Sequence, residues 1–407
     1  MSAVVGSSSK EGALKRPKWE VADIIRLHAK QYCLDHQLPL SHLKVMHSIE
    51  VCRTSYLGGH VEQCDWCDYE RCAYNSCRNR HCPKCQALTK AKWLEERKSE
   101  LLPVGYFHTV FTIPHEFNPI ALRNKKTVFN ILFKAASETL IEFGKNNMHG
   151  QLGFLAILHT WDQKLMDHFH LHCVVAAGAL SFDKSRWISA RGNFLFSVKA
   201  LSIVFRAKFT QHLIKAFLKG DLIFPGNISM LADEKEFLLF LKGVKQKGWI
   251  VYCKKPFASA QQVLDYIGRY THRVAISNHR IINVENGNVT FTYRDRRNNN
   301  TLKTMTLHAN EFIRRFLLHV LPDGFVRIRH FGFLANRYKK QNIQHCREII
   351  GYSEPTPEPP EKNYQQRVLE LTGIDITLCP CCNNGSMVVV EEIPAQWKAT
   401  PQYMDTS

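Results

Sequence analysis

The sequence lacks an apolar run long enough to cross a bilayer, and it does not open with a basic segment followed by an apolar stretch. No internal repeat is evident either, which argues against a solenoid or a repeat array. These absences disfavour membrane-spanning, secreted and repeat proteins. By default we expect a protein of the cytoplasm.

Acidic residues are scarce relative to basic ones. The chain has 36 Asp and Glu against 54 Lys and Arg, which gives a formal net charge of +18, and the excess is spread along the sequence. Such a balance favours a polyanionic partner, most simply nucleic acid. With 407 residues, 45% of them apolar, the chain is predicted to be globular, with two or three domains.

Cysteine, by contrast, is abundant and clustered. In a reducing compartment the 14 cysteines would not form disulfides, so their clustering indicates metal binding. Two CxxC pairs lie at a separation typical of a zinc ribbon, and we predict that they hold one structural Zn²⁺, with free buried cysteines as the alternative. The predicted ligands are Cys64, Cys67, Cys82 and Cys85, with Cys77, His81 and Cys72 as replacements or members of a second site.

Two further features of the cysteine-containing regions allow more than one interpretation. Arg78 and Arg80 lie among the predicted ligands, where they suit contact with DNA phosphates or simply solvated surface charge. The C-terminal CPCC motif offers at most half of a zinc site, through Cys379 and Cys382, because no clear second pair follows it. CPCC is therefore left as a possible extra site, and a reduced cluster without metal is favoured.

The chain divides into four regions by composition and pattern. Residues 1–50 comprise a Ser-rich tail, expected to be mobile, and two helices, and residues 51–100 contain the zinc-binding domain and a charged helix. Residues 101–350 combine apolar β-like runs with helical segments, and residues 351–407 contain a Pro/Glu linker and the CPCC tail. The predicted fold class is α+β.

The segment DHFHLHCV at residues 167–174 carries histidines at alternating positions. On a strand, residues i and i+2 share a face, so His170 and His172 present two imidazoles to one cation while Leu171 points into the core. A strand face with satisfied histidines is the alternative. Because CVVAAGAL continues as an interior strand, where unpaired imidazoles would be costly, we favour a metal pair. His168 then orients the pair from outside or contacts DNA.

Tyr266 and Tyr270 lie at helical i, i+4 spacing in the segment DYIGRYTHR, so both phenols share one face. Taken alone, they would be interpreted as aromatic residues that pack on a sheet. Together with a histidine pair in a very basic chain, they suggest nucleophiles for a DNA phosphodiester. The histidines would then hold a divalent metal at the scissile phosphate.

These motifs together resemble the HUH nucleases, named for histidine, hydrophobic residue, histidine. Within them the chain resembles the two-tyrosine rolling-circle transposases of bacterial insertion sequences, the IS91 group. The resemblance covers about residues 50–345 and consists of several blocks in the same order. They include YNSCRNRHCPKCQ at 74–86, VFTIPHEFN at 110–118, HLHCVV at 170–175, YIGRYTHRVAISN at 266–278 and RIRHFGFLAN at 327–336.

The resemblance implies an HUH nuclease core with a central antiparallel sheet flanked by helices, preceded by a helical and zinc-ribbon-like N-terminal domain. It implies an enzyme that cleaves and rejoins single-stranded DNA at element ends through a 5′-phosphotyrosine intermediate. By carry-over, His170 and His172 bind Mg²⁺ or Mn²⁺, and Tyr266 and Tyr270 are the nucleophiles. A bacterial protein associated with the nucleoid is then expected.

Related enzymes add a third polar ligand to the histidine pair. The candidate that we favour is Gln163, just after the strand that precedes the histidines. The alternatives are Asp162, His159 and His272.

The sequence departs from the family where HPHLHCVVPGG would be expected. Phe169 and Ala176 replace prolines and Ala177 replaces a glycine, changes that affect local loop geometry and not the ligands. Next to the tyrosines, Arg269 and Arg273 are expected to contact DNA.

Three other functions share part of this pattern. A metallo-β-lactamase-type hydrolase needs Asp-His after the first histidine pair, whereas Cys173 follows here. A plasmid replication initiator or relaxase shares the HUH chemistry, but the cysteine region favours a transposase. A zinc-ribbon DNA-binding protein with a decayed nuclease is disfavoured because both histidines and both tyrosines are intact.

Overall fold

The computed structural model describes residues 17–257, 262, 263, 266, 268, 274–295, 298–352 and 361–396. The chain forms two compact units, each built from discontinuous segments. The first, here termed the cysteine unit, comprises Met1–Lys92, Ile276–Ile313 and Pro360–Ser407. The second, termed the histidine unit, comprises Trp93–Ala275 and Arg314–Pro359.

The described residues form both α-helices and antiparallel strands. The helices are α1 (Val21–Asp35), α2 (Leu40–Glu50), α3 (Pro83–Ser99), α4 (Asn118–Arg123), α5 (Lys125–Met148), α6 (Val198–Leu218), α7 (Glu234–Lys245), α8 (Ala309–Leu318), α9 (Lys339–Ile350) and α10 (Tyr364–Thr372). The strands are β1 (Gly59–Cys64), β2 (Glu70–Tyr74), β3 (Tyr106–Thr112), β4 (Gly150–Trp161), β5 (Asp167–Ser181), β6 (Trp187–Ser189), β7 (Val251–Phe257), β8 (Ile281–Glu285), β9 (Asn288–Asp295), β10 (Thr301–His308), β11 (Ile328–Gly332) and β12 (Met387–Ile393). The predicted α+β class is confirmed.

The cysteine unit contains two small antiparallel sheets, with strand orders β12-β1-β2 and β10-β9-β8. In the first sheet, β12 pairs along the whole of β1, from Gly59 opposite Ile393 to Cys64 opposite Met387. The C-terminal segment, predicted from the sequence as a separate tail, is therefore part of the cysteine unit. Pattern could not predict this pairing, because the two strands lie more than three hundred residues apart along the chain.

The histidine unit is built on an antiparallel sheet of order β11-β4-β5-β3-β7, with β6 paired to β5. Strands β4 and β5 form a long hairpin, and β3 lies on the other side of β5. Strand β5, which carries DHFHLHCV, is therefore interior, as its apolar composition predicts. The central antiparallel sheet that the resemblance implied is present.

The two faces of this sheet differ in how they are covered. On one face, Phe169, Leu171 and Cys173 of β5 pack in a large core with α4, α5, α6 and α7, where Phe129 and Phe205 are fully buried. Each such phenylalanine contributes about 1.5–3 kcal/mol through the apolar surface removed from water. The opposite face carries His170 and His172, followed along β5 by Val174 and Ala176, which belong to a smaller core with residues of α9.

The sequence pattern over about 119–145 predicts a single helix, but the structure differs. The segment forms two helices, α4 and α5, because the chain breaks at Asn124. The buried Asn124 amide donates to the carbonyls of Ile120 and Ile223, at 3.0 and 2.8 Å, and its oxygen accepts from the Ile223 N–H at 2.8 Å. Among the described helices, none has both the length and the apolar character needed to span a membrane.

Candidate active site and metal centres

Three histidines meet on the sheet face opposite the large core. His170 and His172 lie on β5, and His159 lies directly opposite His170 on β4. The nitrogen atoms that could bind a metal all lie within 4.8 Å of one another, and the three side chains are 4–7% exposed. The Nε2 atoms of His170 and His172 are 3.0 Å apart. Such a buried imidazole set fits a divalent cation.

Hydrogen bonds at the far side of two rings fix their orientation. The Nδ1 atom of His170 lies 2.7 Å from the carbonyl oxygen of His168, and it must donate because a carbonyl only accepts. The Nδ1 atom of His172 lies 2.8 Å from Nε2 of His108 on β3. Both Nε2 lone pairs can then face the same point, which is the arrangement that metal-binding histidines require.

His159, one of the alternatives to Gln163, is the third residue of the cluster. Its ring lies 4.6 Å from that of His172 and stacks on Trp161 at 5.0 Å. Gln163 lies half-buried in the turn between β4 and β5, and its role as a ligand stays a prediction. The Asp162 carboxylate is engaged in the same turn, where it accepts from the N–H groups of Lys164 and Met166 at 2.8 Å each.

Tyr266 reaches this site through His108. Its hydroxyl lies 2.8 Å from Nδ1 and 2.9 Å from Nε2 of His108, and the two ring centroids are 4.5 Å apart. The Tyr266 ring also packs on Phe257 at 4.7 Å. Tyr270, His272, Arg269 and Arg273 lie outside the described residues, so their assignments stay predictions.

His108 was not singled out from the sequence. It is 3% exposed, and burial, reinforced by the nearby charge of Lys254, lowers the pKa of its imidazole to about 3. The ring is therefore neutral at physiological pH, with one donor and one acceptor nitrogen. The sequence does contain one feature that could have identified His108. It lies inside the apolar segment YFHTVFTIP, predicted to be a strand, where a buried histidine needs a hydrogen-bond partner.

Eight of the 14 cysteines form two groups of four, and not the single predicted site. Cys82 and Cys85, at the start of α3, meet Cys52 and Cys77, with Sγ distances from Cys85 of 3.6 Å to each. The Sγ atoms of the second group also lie within 4.8 Å of one another. Its members are Cys64, Cys67, Cys379 and Cys382.

The predicted grouping differs from the structure because of the β1–β2 hairpin. Cys64 and Cys67 lie at its tip, whereas Cys52 precedes β1 and Cys77 follows β2 at its base. A strand of this length extends roughly 17 Å, so one ion could not bind cysteines at both ends. Cys77, named as a replacement ligand, is in the first group, whereas His81 and Cys72 are in neither. CPCC, interpreted as a cluster without a partner pair, meets Cys64 and Cys67.

The two arginines predicted among the zinc ligands differ in exposure. Arg78 is exposed, in a left-handed conformation with φ 53°, directly after Cys77. Arg80 is half-buried. Contact of either side chain with DNA stays a prediction.

Comparison with known proteins gives matches over both units. Residues 24–113 match the family described as "Transposase zinc-binding domain", and residues 153–342 match the family described as "Putative transposase". A protein of Sinorhizobium fredii named "Putative transposase y4qJ" is 48% identical over 377 residues, which cover 91% of this chain and 95% of that protein. "Transposase for insertion sequence element IS801" of Pseudomonas savastanoi pv. phaseolicola is 28% identical over 315 residues, or 76% of this chain and 74% of that protein.

The first cysteine group lies entirely within the matched zinc-binding region, which identifies Zn²⁺ as the metal of that region. The histidine cluster lies within the region that matches the second family. The chain therefore belongs to the IS91/IS801 family of insertion-sequence transposases, DNA-cleaving enzymes that carry an N-terminal zinc-binding domain.

Proposed function

We propose that this transposase cleaves and rejoins single-stranded DNA at the element ends through a 5′-phosphotyrosine intermediate, as rolling-circle transposition requires. The observation that carries the proposal is the connected set Tyr266, His108 and His172, in which a phenol lies one imidazole away from a candidate metal ligand. A nucleophile and a cation site so close together suit attack on a phosphodiester.

The reaction balances without an external energy source. The tyrosine oxygen attacks phosphorus, the P–O bond to the 3′ oxygen of the preceding nucleotide breaks, and that oxygen takes up a proton to become a free 3′-hydroxyl. The phenol proton passes to solvent or to a neighbouring base. Because a phosphodiester is exchanged for a phosphotyrosine, a second 3′-hydroxyl can reverse the step and join the strands.

The histidine cluster supplies the site for the cation. His159, His170 and His172 would hold Mg²⁺ or Mn²⁺ through buried nitrogen atoms that all lie within 4.8 Å of one another. When bound, the cation polarises a phosphoryl oxygen and offsets the developing negative charge.

His108 has a defined task in this arrangement. If the Nε2 lone pair of His172 faces the cation, its Nδ1–H donates to Nε2 of His108. A neutral His108 then carries its own proton on Nδ1, which lies 2.8 Å from the Tyr266 oxygen. The phenol oxygen receives a hydrogen bond, which favours its ionised form and fixes its direction.

Strand β7 supplies a surface for the DNA strand. It is an edge strand of the sheet, and Tyr252 and Lys254 lie opposite Val110 and His108, on the histidine face. Both side chains are exposed, and the Lys254 ammonium lies 5.7 Å from the Tyr252 ring centroid. An aromatic ring beside a cation is the combination that binds unpaired bases and their phosphates.

A plasmid initiator or relaxase would use the same chemistry, but the relatives are named as transposases and the zinc-binding region matches a transposase family. A zinc-dependent DNA-binding protein without catalysis is disfavoured by the clustering of three buried histidines with Tyr266.

The test uses a single-stranded oligonucleotide that carries an element end, labelled at its 3′ or its 5′ terminus, with Mg²⁺ or Mn²⁺. We expect a covalent adduct on a denaturing gel with the 3′ label only, and a shortened free product with the 5′ label. The metal requirement is checked with a chelator and by re-adding Mn²⁺. His170→Ala should slow adduct formation strongly by weakening metal binding.

The nucleophile is identified with phenylalanine variants. Tyr266→Phe combined with Tyr270→Phe should abolish the adduct, whereas Tyr338→Phe, at an exposed tyrosine outside the site, should leave it unchanged. An adduct that survives the double change, or one that retains the 5′ label, refutes the proposed mechanism.

A further inference from the structure

The second cysteine group has the dimensions of a tetrahedral thiolate site. The Sγ atoms of Cys64 and Cys382 are 3.7 Å apart, and those of Cys67 and Cys379 are 3.6 Å apart. With Zn–S bonds of about 2.3 Å, tetrahedral geometry separates the sulfurs by about 3.8 Å. The observed spacing therefore leaves room for one zinc ion at the centre of the group.

Both cysteine pairs lie in turns whose backbone N–H groups point at sulfur. The N–H of Trp66 lies 3.4 Å from the Cys64 sulfur, the N–H of Cys381 lies 3.4 Å from the Cys379 sulfur, and the N–H of Gly385 lies 3.3 Å from the Cys382 sulfur. Donors of this kind stabilise the thiolate form that binds a metal. Two similar turns face each other across the group.

The two turns also contact each other through atoms other than the cysteine sulfurs. A Cβ at Gly385 would lie only 2.4 Å from the Cys64 sulfur, so only glycine allows this approach. The Asp65 carboxylate accepts from the Ser386 N–H at 2.7 Å, and the Asp65 N–H donates to the Ser386 carbonyl at 3.1 Å. These contacts connect the tip of the β1–β2 hairpin to the segment that leads into β12.

Burial of apolar surface contributes little to the stability of this C-terminal segment. Val388, Val389 and Val390 of β12 are 49–58% exposed, and none of the described residues of α10 is buried. A strand at a sheet edge with so little burial is marginal without another constraint. A structural zinc can supply folding free energy directly, as it does in small metal-binding domains.

We propose that Cys64, Cys67, Cys379 and Cys382 bind a second structural zinc ion, which fastens the C-terminal segment to the N-terminal zinc-binding region. The chain then carries two zinc ions. The first lies in the group Cys52, Cys77, Cys82 and Cys85, within residues 24–113, and the second takes half of its ligands from outside that range.

The test is the zinc content of the purified full-length chain, measured by inductively coupled plasma mass spectrometry. We expect two zinc ions per chain, and one after combining Cys379→Ser with Cys382→Ser. Cys64→Ser combined with Cys67→Ser should give the same result, because it removes the other half of the site. The matched control is Cys381→Ser, since this exposed cysteine lies in the same CPCC motif but outside the group.

A second measurement uses the unaltered chain, so it does not require any variant to fold. Zinc-edge X-ray absorption should give about four sulfur neighbours per ion with two ions bound. One zinc per chain, or two ions retained after the Cys379/Cys382 change, would each overturn the proposal. Faster tryptic cleavage within residues 361–396 of that variant would support the fastening role, and unchanged cleavage would refute it.

Discussion

At the scale of single residues, His108 is the side chain that connects the two parts of the proposed active site. Its imidazole lies between the Tyr266 hydroxyl and Nδ1 of His172, with separations of 2.8 Å on each side. Because burial lowers the pKa of the imidazole and holds the ring neutral, one of its nitrogens donates and the other accepts, and the Tyr266 hydroxyl lies within 2.9 Å of both. We interpret His108 as a positioning residue.

Replacing His108 by alanine should therefore slow adduct formation by about 10- to 100-fold, the usual effect of losing a residue that orients a metal ligand. The measurement is a single-turnover rate at several Mn²⁺ concentrations. His108→Gln, which retains a donor and an acceptor, should recover part of the rate. His345→Ala, at a half-buried histidine of α9 whose Nε2 lies 2.7 Å from the Lys184 carbonyl oxygen, serves as the control. An unchanged rate for His108→Ala would remove it from the mechanism.

The exposed pair on β7 gives a second prediction at this scale. Tyr252→Ala should weaken binding of single-stranded DNA by about 1–3 kcal/mol through the loss of base stacking. Lys254→Ala should weaken binding less at high salt than at low salt, because it removes a phosphate contact. Fluorescence anisotropy with a labelled oligonucleotide measures both effects, with Tyr338→Ala as the matched control. Equal affinities for all three variants would exclude β7 as a DNA surface.

Site residues that lie close together in the sequence could be paired from the sequence, whereas those on strands far apart along the chain could not. His170 and His172 share a face by strand alternation alone, so their pairing was a local inference. The participation of His159 and His108 depends on which strands flank β5, and on the register that places His159 opposite His170. Each CxxC pair was recognisable for the same local reason, whereas its partner pair is set by the β1–β2 and β1–β12 pairings.

At the scale of elements, the junction of β4 and β11 depends on a glycine. Gly332 ends β11 with φ +64°, and a Cβ there would lie 1.6 Å from the Leu152 carbonyl oxygen. Since this is backbone, the clash cannot be relieved by rotating a side chain. The Phe333 N–H donates to the same carbonyl at 3.1 Å, so a shift here would also disturb a hydrogen bond.

Gly332→Ala should lower the stability of the histidine unit by about 3 kcal/mol or more, because the clash adds to the usual left-handed penalty of about 1–2 kcal/mol. Gly324→Ala is the matched control, since Gly324 has a similar φ of +66° but open space around its Cβ direction. Thermal unfolding followed by circular dichroism should show a large decrease in midpoint for the first and a small one for the second. Equal decreases would contradict the packing argument.

Long elements with regular apolar patterns were predictable from the sequence, including α5, α6 and strands β3 to β5. The elements that were missed are short or exposed. Strands β1, β2 and β12 have mostly half-buried or exposed residues, so they carry no strong alternation, and β11 has five residues of intermediate exposure. Their strand conformation depends on their partners, which local propensity does not encode.

At the scale of the whole molecule, both units are discontinuous in sequence. A division of the sequence into consecutive domains could not predict this. The cysteine unit takes in residues 276–313 and the C-terminal segment, and the histidine unit resumes after them. The charge of +18 is in keeping with a DNA-binding enzyme, and it is distributed over the segments of both units. Composition therefore indicated nucleic acid as the partner. The division into two units could not be predicted, because it depends on the pairing of strands that lie far apart in the sequence.

The central claim, that a tyrosine beside the histidine cluster becomes linked to DNA, is tested most directly by mapping the adduct with mass spectrometry. Trypsin separates the two candidates, because cleavage after Arg269 places Tyr266 in the peptide 255–269 and Tyr270 in the peptide 270–273. Since the Tyr266 hydroxyl contacts His108, we predict that the first nucleotide adduct is a 5′-phosphodiester on the 255–269 peptide. A nucleotide on the 270–273 peptide alone, on another residue, or on none would contradict the account.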